Sequence, residues 1–397
     1  MTVQVERATR LQMTATERRA TAALTGIYAT RILGLFLLLP VLDLYVSSLP
    51  GGSQKIAGFT VGAYALAQGF LQIPAGRLSD RIGRRPVILG GLFLFVAGSI
   101  VGIFTHSVAG VIVARLLQGS GAISAAVTAL VADVTRTEVR TRAMAVIGIS
   151  IGLCFIVSLL AGPPLEGAFG VPGIFACMAV LGTAAVGALQ FVPRTEVVSR
   201  AVRPSAFSAP LWRTPLLLTY IGIFSVHFSL TATFVAVPQI LRDSLHLDVA
   251  GHWRVYAAVF LASLLITVPA LRIFERSANP RRVTQVLVLL LSCSLFALFA
   301  GGGAALGCYA GLVLFFGAFN FLEANLPARL SIVAAAESRG AAMGIFGTAQ
   351  FLGAGIGGTL AGLVLNARLG FGAVFLAAAV VVALWLCSLL ILHKRDV

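Results

Sequence analysis

Apolar stretches long enough to cross a lipid bilayer follow one another along almost the whole chain. A membrane-spanning helix needs about 20 predominantly apolar residues, and twelve such stretches fit into the 397 residues with short connections between them. Hydrophobic residues make up 58% of the chain and charged residues only 11%, with a mean hydropathy of +0.98. A soluble domain of this size has no interior large enough for that much apolar surface. We therefore predict an all-α polytopic membrane protein.

The predicted spans, numbered 1 to 12, follow the edges of these stretches. They cover residues 22–46, 56–76, 86–105, 108–132, 141–164, 171–193, 215–240, 254–273, 283–304, 306–328, 340–365 and 370–392. The stretches are continuously apolar, whereas the strands of a transmembrane β-barrel alternate between apolar and polar residues. The even number of spans places both ends of the chain on one side of the membrane.

The basic residues indicate which side that is. Of the 29 Lys and Arg residues, 23 lie at the chain ends or in the loops on the same side, and four lie in the opposite loops. The other two, Arg31 and Arg115, lie inside spans. Because basic residues favour the cytoplasmic side, we predict that both termini are cytoplasmic. The net charge of +15 is divided into short clusters between spans, a pattern that predicts contact with the lipid bilayer and no nucleic-acid partner.

The chain divides into two halves of six spans each. The longest connection on the cytoplasmic side, residues 194–214, holds four arginines and two prolines and is predicted to link the halves. On this basis residues 1–21 are a cytoplasmic N-terminal segment, 22–193 the N-terminal bundle, 215–392 the C-terminal bundle and 393–397 a cytoplasmic tail.

The polar stretch between spans 2 and 3, residues 76–85, carries four arginines and one acid, Asp80. Its two glycines, Gly76 and Gly83, are expected to let the backbone form a tight turn at the water interface. Acidic residues contribute little to membrane orientation, so Asp80 is predicted to have another task. The alternative is that Asp80 only neutralises the arginines around it in a solvated turn.

This stretch resembles the signature that follows span 2 in the major facilitator superfamily, a glycine, then Leu-x-Asp-Arg, then Gly-Arg-Arg. A further resemblance to one branch of bacterial exporters in that superfamily extends from residue 17 to about residue 365. It is carried by Arg31-x-Leu-Gly, Gln72-Ile-Pro, Leu117-Gln118-Gly119-Ser120-Gly121, Phe234-Val235-Ala236, His252-Trp253-Arg254-Val255-Tyr256, Phe319-Asn320-x-x-Glu323-Ala324 and Gln350-Phe351-Leu352-Gly353. The resemblance implies two six-helix bundles, working as a monomer in a bacterial inner membrane, that exchange a small-molecule substrate for protons by alternating access. The exporters in that branch carry a small soluble domain after span 12, which this chain is expected to lack.

Three charged residues lie inside predicted spans: Arg31, Arg115 and Glu323. A charge at the membrane centre costs about 2.5–3.5 kcal/mol on insertion scales, so three unpaired charges would cost roughly 8–10 kcal/mol. We expect them to face a wet cavity or one another. The alternative is a purely structural task for each; Arg115 and Gln118, for example, share one helix face.

Glu323 is the predicted proton carrier, because it is an isolated acid inside a span. Asn320, on the same helix face, is predicted to bind substrate, and His227 is a second titratable candidate. The alternative for His227 is a hydrogen bond between helices. Tyr64 and Gln68 belong to a polar stripe on span 2 that is expected to line a cavity or a helix interface. The predicted cavity set is Arg31, Tyr64, Gln68, Arg115, Gln118, His227, Asn320, Glu323 and Gln350.

Span 5 is rich in glycine and proline, which allow close helix approach and a bend. The predicted helix-packing set is Gly148, Gly152, Gly162, Pro163 and Gly167. The pattern partly resembles the span 5 signature of antiporters in the superfamily, which ends Gly-Pro-x-x-Gly-Gly. It departs from that signature at Glu166, which replaces a glycine, and in an upstream spacing that differs by one residue. Near the outer ends of spans 1 and 5, Asp43 and Glu166 are expected to be solvated.

The superfamily resemblance also implies a gate on the cytoplasmic side. In that family the loop aspartate, here Asp80, meets the N-terminus of span 11 when this side is closed, where a carboxylate is stabilised by about 0.3–1 kcal/mol. The loop arginine, here Arg84, is linked to the acid that ends span 4, here Asp133. Protonation of an acid in this network is expected to loosen the closed gate. The predicted gating set is Gly76, Asp80, Arg81, Gly83, Arg84 and Asp133.

The leading hypothesis is a proton-coupled antiporter that exports small molecules such as amphipathic drugs or metabolites. A symporter or uniporter that imports a solute is the first alternative, because the loop signature does not set the direction. A membrane receptor or scaffold is a different class, although a scaffold has little need of charges inside spans. We find no nucleophile–base pair, metal-ligand cluster or phosphate loop that would point to an enzyme or a cofactor, and the five cysteines lack metal-binding spacing.

Overall fold

The computed structural model describes residues 13–193, 209–301, 304–335 and 338–392, which form helices and contain no β-strand. Ten helical stretches in this described part are long and apolar enough to cross a membrane. One of them, Glu138–Phe191, is divided by a kink and makes two spans, and span 1 is broken into two shorter helices. The all-α fold with twelve spans is therefore confirmed.

The observed helices match the predicted spans closely. Span 1 consists of Ala15–Phe36 and Leu42–Ser48, span 2 of Gln54–Ile82, span 3 of Arg84–Phe104, span 4 of Val108–Ser120 and Ser124–Val134, and spans 5 and 6 of Thr137–Ala188. Span 7 consists of Thr214–Gln239 and a π turn at Ile240–Ser244, span 8 of His252–Arg276, span 9 of Pro280–Gly301, span 10 of Ala305–Val333, span 11 of Arg339–Asn366 and span 12 of Gly370–Ile391. Most of the predicted linker, 194–208, lies outside the described residues, as do 1–12 and 393–397, so the domain boundaries remain predictions.

Proline and glycine account for the helix interruptions. Pro40 lacks a backbone donor and lies in the turn that divides span 1. Gly121 follows the first helix of span 4, where a side chain would collide with the backbone of Gly91 in span 3. Gly170, with φ of 65°, separates spans 5 and 6 in a conformation that favours glycine. Pro163 lies inside the helix of span 5 without ending it.

Residues 76–85 are mostly helical, and the predicted tight turn over this stretch is wrong. The helix of span 2 continues to Ile82, so Gly76 is helical, and span 3 begins at Arg84. Only Gly83, with φ of 98°, leaves the helical conformation. The prediction equated charge with a loop, but arginine side chains reach water equally well from a helix that extends beyond the bilayer.

The two bundles meet most extensively where span 2 packs along span 11. A Cβ atom at Gly58 of span 2 would lie 2.5 Å from the carbonyl oxygen of Gly358 and 2.5 Å from the Cα atom of Gly362 in span 11. Small residues therefore bring the two helix backbones into direct contact.

The glycine contact at Gly58 lies near the start of the span 2 helix, and the basic residues 77–85 lie at the other end of that helix. We call the end that carries residues 77–85 and 136–142 the basic end, and the other the opposite end.

Two of the predicted packing glycines in span 5 do not pack against a neighbour, which corrects the sequence analysis. Gly148 and Gly152 are exposed, and a Cβ atom at either position would meet no other part of the described chain within 4 Å. The glycine spacing was a poor guide because it does not indicate which helix face is turned inward. Gly162 and Gly167 do pack closely: a Cβ atom would lie 2.6 Å from the carbonyl oxygen of Leu37 and 2.6 Å from a side chain before span 8, respectively.

Candidate functional site

Five of the predicted cavity residues form one buried network in the N-terminal half. Arg31 donates hydrogen bonds to the carbonyl oxygen of Gln118 at 2.5 Å and to Oε1 of Gln68 at 3.1 Å. Arg115 donates to Oε1 of Gln118 and to a carbonyl oxygen of span 1, both at 2.9 Å. The hydroxyl group of Tyr64 donates to the carbonyl oxygen of Arg31 at 3.1 Å. The network therefore ties spans 1, 2 and 4 together.

The two arginines of this network are 2% and 1% exposed, so they lie inside the bundle and do not line an open cavity. Among the described residues, no acid forms a salt bridge with Arg31 or Arg115. Aromatic rings take that place: the guanidinium carbon of Arg115 lies 4.7 Å from the ring centroid of Tyr64, and that of Arg31 lies 5.0 Å from the ring centroid of Phe95. Carbonyl dipoles and ring faces thus compensate both charges.

A second polar cluster lies in the C-terminal half, where spans 7, 10 and 11 meet. Nε2 of Gln350 lies 2.8 Å from Nε2 of His227 and donates to Oε1 of Glu323 at 3.3 Å. The His227 side chain is 4% exposed, whereas that of Glu323 is 28% exposed. Asn320, one helical turn from Glu323, donates to the hydroxyl group of Ser263 in span 8 at 3.3 Å. The sequence analysis proposed these residues separately, and the fold brings three of them into contact.

The placement of the Gln350 amide assigns the hydrogen-bonding roles of the histidine ring. The amide nitrogen of Gln350 has two hydrogens, assigned to His227 and Glu323, so Nε2 of His227 acts as an acceptor. A neutral ring then carries its proton on Nδ1. That atom lies 3.7 Å from Oε2 of Glu323, and neither atom has a hydrogen-bond partner among the described residues. The two groups therefore face each other at a distance longer than a hydrogen bond.

An aromatic layer connects the two halves next to this cluster. Phe155 of span 5 lies 4.9 Å from Phe36 of span 1 and 5.9 Å from Phe319 of span 10, measured between ring centroids. Phe319 in turn lies 6.0 Å from the ring of His227. The titratable cluster consequently borders the contact between the bundles.

The predicted gating residues lie at the basic end. Arg84 forms an ion pair with Asp80 one turn earlier, and its Nε lies 3.5 Å from Oδ2 of Asp133 at the end of span 4. It also donates to the hydroxyl group of Ser79 at 2.8 Å. Arg81 is exposed. The structure thus brings Asp80, Arg84 and Asp133 together, while a contact of Asp80 with span 11 stays a prediction.

An ion pair that the sequence analysis missed also lies at the basic end. Arg136, just before span 5, donates to the two carboxylate oxygens of Glu17 at 2.9 and 3.1 Å. Glu17 also closes a capping box with Thr14 at the start of span 1. Hydrogen bonds from Arg136 hold the pKa of the Glu17 carboxyl at about 2, below its usual value of 4.5. The sequence spacing Thr-x-x-Glu was a signal for the cap. No sequence signal indicated that Arg136, 119 residues away, would pair with Glu17.

Asp43 is buried, and the expectation that it is solvated is wrong. Its side chain accepts a hydrogen bond from Nε2 of Gln239 in span 7 at 2.5 Å, and the same nitrogen donates to Oε1 of Gln54 at 2.9 Å. The position within a predicted span, 22–46, could have raised this possibility. Gln239, which contacts Asp43, belongs to the other half, and the sequence does not show how the two halves meet.

The arginine network, the Glu323 cluster and the ion pairs of Arg84 each lie within one half, whereas the hydrogen bonds of Gln239 cross between the halves. Among the described residues, no group of three or more His, Cys, Asp or Glu could hold a metal ion. Two six-helix bundles with charged groups inside their spans are the architecture of a secondary transporter.

The comparisons with known proteins agree with this class. The chain belongs to the major facilitator superfamily, whose profile matches residues 24–357. It is 40% identical over 380 residues to the inner membrane transport protein YajR of Escherichia coli, covering 94% of this chain and 83% of that protein. It is 27% identical to multidrug resistance protein 2 of Bacillus subtilis, covering 92% and 93%. The crystal structure of the nucleoside transporter NupG superposes with a TM-score of 0.72 at 13% identity, covering 94% and 99%, a similarity of fold alone.

Proposed function

We propose that this protein is a proton-coupled antiporter that exports small molecules across the inner membrane by alternating access. The observation that supports this proposal most is the cluster of Glu323, His227 and Gln350, which joins spans 7, 10 and 11. It contains two titratable groups inside the membrane, one of them partly accessible. Such groups are retained in membrane spans mainly where protons or ions move.

Proton uptake by Glu323 changes the contacts of this cluster. The ionised carboxylate attracts the Nδ1–H group of His227 and accepts a hydrogen bond from Gln350. A protonated carboxyl group lacks that charge, so its hold on spans 7 and 11 weakens. The two protonation states therefore favour different arrangements of the helices, as a proton must do to drive a conformational change.

Small amphipathic molecules are the proposed substrates. A relative that matches almost the whole chain is named a multidrug resistance protein, although its identity is only 27%. The aromatic layer of Phe36, Phe155 and Phe319 next to the polar cluster offers an apolar wall beside a carboxylate. Asn320 adds a hydrogen-bonding amide one turn from Glu323.

The gate and the orientation belong to the same proposal. We place the basic end in the cytoplasm, with both termini there, because 23 of the 29 basic residues lie on that side. Asp80, Arg84 and Asp133 are proposed to close this end when Asp80 reaches the N-terminus of span 11. A monomer is the proposed working unit, since each chain contains both bundles.

A symporter or uniporter that imports a solute is the alternative on the same fold. The Glu323 cluster serves a symporter equally well, and only the direction of coupled flux separates the two. A non-transporting receptor is the further alternative, and it is disfavoured because it has little use for titratable groups inside spans.

The test is proton flux in inside-out vesicles with an acidic interior, read with a pH-sensitive dye while a compound library is added. An exported substrate should drain the proton gradient in vesicles that contain the wild-type protein. The same compound should have no effect in vesicles that contain Glu323→Gln. Glu275→Gln is the matched control, because Glu275 is an exposed acid at the basic end of span 8.

Four outcomes separate the hypotheses. Drainage by a compound with wild type and Glu275→Gln, but not with Glu323→Gln, supports the antiporter with Glu323 as its proton carrier. Equal drainage by all three proteins removes Glu323 from that role. Compound movement down its own gradient without proton flux favours a uniporter, and silence in both assays favours the receptor.

A further inference from the structure

The opposite end of the molecule is closed by a polar contact between the halves that involves a buried acid. Asp43 lies in the short second helix of span 1, and its side chain is 1% exposed. Its Oδ2 atom accepts from the amide of Gln239, at the end of the main helix of span 7. The same amide reaches Gln54 at the start of span 2. One glutamine side chain of the C-terminal half thus bridges two spans of the N-terminal half.

The surroundings of Asp43 are poor for a charged carboxylate. Its Oδ1 atom is buried and has no hydrogen-bond partner among the described residues. Oδ2 receives a neutral amide donor, although an ionised carboxylate can accept several hydrogen bonds. A buried charge needs a cation or a full set of donors, and this contact supplies neither.

The charged and titratable groups near Asp43 do not provide a direct counter-ion. Arg242 in the π turn of span 7 interacts with Asp43 electrostatically, but its Nε and Nη2 atoms already donate hydrogen bonds to Asp243 at 2.6 and 3.1 Å. Lys55 of span 2 is exposed, and Tyr45, on the same short helix as Asp43, is half-buried. A carboxylate at this position would therefore remain undercompensated.

We propose that Asp43 is a second proton-binding site, which holds a proton while the opposite end is closed and releases it when Gln239 moves away. Removing the proton leaves a charge that this closed contact cannot satisfy. Opening separates Gln239 from Asp43 and exposes the carboxylate to water, where the charge is stable. The proton and the closed contact therefore support each other.

The sign of the linkage follows directly. Because the closed form binds one proton more than the open form, lowering the pH on that side favours closure and raising it favours opening. The ratio of open to closed protein can change by up to about tenfold per pH unit for a single proton. With the proposed orientation, protons outside the cell would close this gate before Glu323 passes its own proton inward. The inference does not depend on Glu323 being the carrier.

The test measures opening directly and needs no substrate. Spin labels are attached at Ser48 and Ser244, two exposed positions at the opposite end, one in each half. The full chain is reconstituted in nanodiscs after the partly or fully exposed cysteines, Cys177, Cys293 and Cys387, are replaced by serine. Distances between the labels are recorded from pH 5 to 9. The variants are Asp43→Asn, which imitates the protonated group, and Glu275→Gln, a control at an exposed acid of the basic end.

We expect the long-distance population to increase with pH in the wild type and in Glu275→Gln, and to stay low and constant in Asp43→Asn. A second variant, Gln239→Leu, removes the bridge and should raise the long-distance population at low pH. An unchanged pH profile in Asp43→Asn, or a wild-type profile that does not vary with pH, would overturn the proposal. If Glu323→Gln loses antiport but keeps the wild-type pH dependence of the label distances, Asp43 binds its proton independently of Glu323.

Discussion

Gly58→Ala tests whether the glycine contact between spans 2 and 11 belongs to one conformation of the transporter. The added Cβ atom would lie 2.5 Å from the carbonyl oxygen of Gly358 and from the Cα atom of Gly362, whereas ordinary contacts begin at 3.4 Å. Both partner atoms belong to the backbone, so no side chain can rotate away. Accommodating one methyl group requires spans 2 and 11 to separate by about 1 Å.

The size of the effect follows from the cost of overpacking. Inserting a methyl group into a closely packed site costs about 1–3 kcal/mol. This contact joins the two halves, so the cost falls on the closed opposite end and leaves the interior of each bundle intact. A difference of this size shifts the ratio of two conformations by about 5- to 150-fold. We expect the opposite end to open correspondingly more often.

The assay is the reaction rate of a cysteine at position 231 with a membrane-impermeant thiol reagent. Thr231 is buried at the contact between span 7 and Gly358, where its Cγ2 atom lies 3.0 Å from the position of a Cβ atom on that glycine. Thr231→Cys should react faster in the Gly58→Ala background. Gly148→Ala is the matched control, because its Cβ atom would meet no described atom within 4 Å. An equal rate in Gly58→Ala and wild type would refute the reasoning, as would an equal increase in the control.

Two further predictions concern the basic end. Asp80→Asn should abolish substrate flux, while the amount of monodisperse protein shows that the variant is still folded and inserted. Transport at the wild-type rate would contradict the proposed gate. Glu17→Gln should lower the melting temperature at pH 7, because the carboxylate loses its bonds from Arg136. Since the pKa of Glu17 is lowered to about 2, its contribution is complete above about pH 4.5 and is lost as the pH falls toward 2. The melting temperatures of the two proteins should therefore converge in acid, and parallel pH curves would argue against this ion pair.

The hydropathy of the sequence predicted the fold well because a bilayer imposes strict limits on length and composition. A backbone inside hydrocarbon must satisfy its hydrogen bonds internally, so each apolar stretch of about 20 residues is a helix. Positions where side chains reach water were harder to predict. The stretch around Gly83 is helical on both sides although it is highly charged. The breaks near Pro40 and after Ser120 fell inside predicted continuous spans.

The candidate site was predictable as a set of residues but only partly as an arrangement. Charges inside spans identified Arg31, Arg115 and Glu323 without reference to the structure. The sequence does not record which helix faces meet, and for this reason the burial of Asp43 and the exposure of Gly148 were both missed. Contacts between distant spans depend on how the bundles pack, and local periodicity contains no information about that.

The two halves hold their polar groups in different ways, which indicates what moves between conformations. Every hydrogen bond that Arg31 and Arg115 donate stays within spans 1, 2 and 4, so this network can persist when the halves rock against each other. The bridge from Gln239 to Asp43 crosses between the halves and has to break when the opposite end opens. We therefore expect the buried arginines to keep the N-terminal bundle rigid. Protonation then acts where a contact has two states, at the Glu323 cluster and at Asp43.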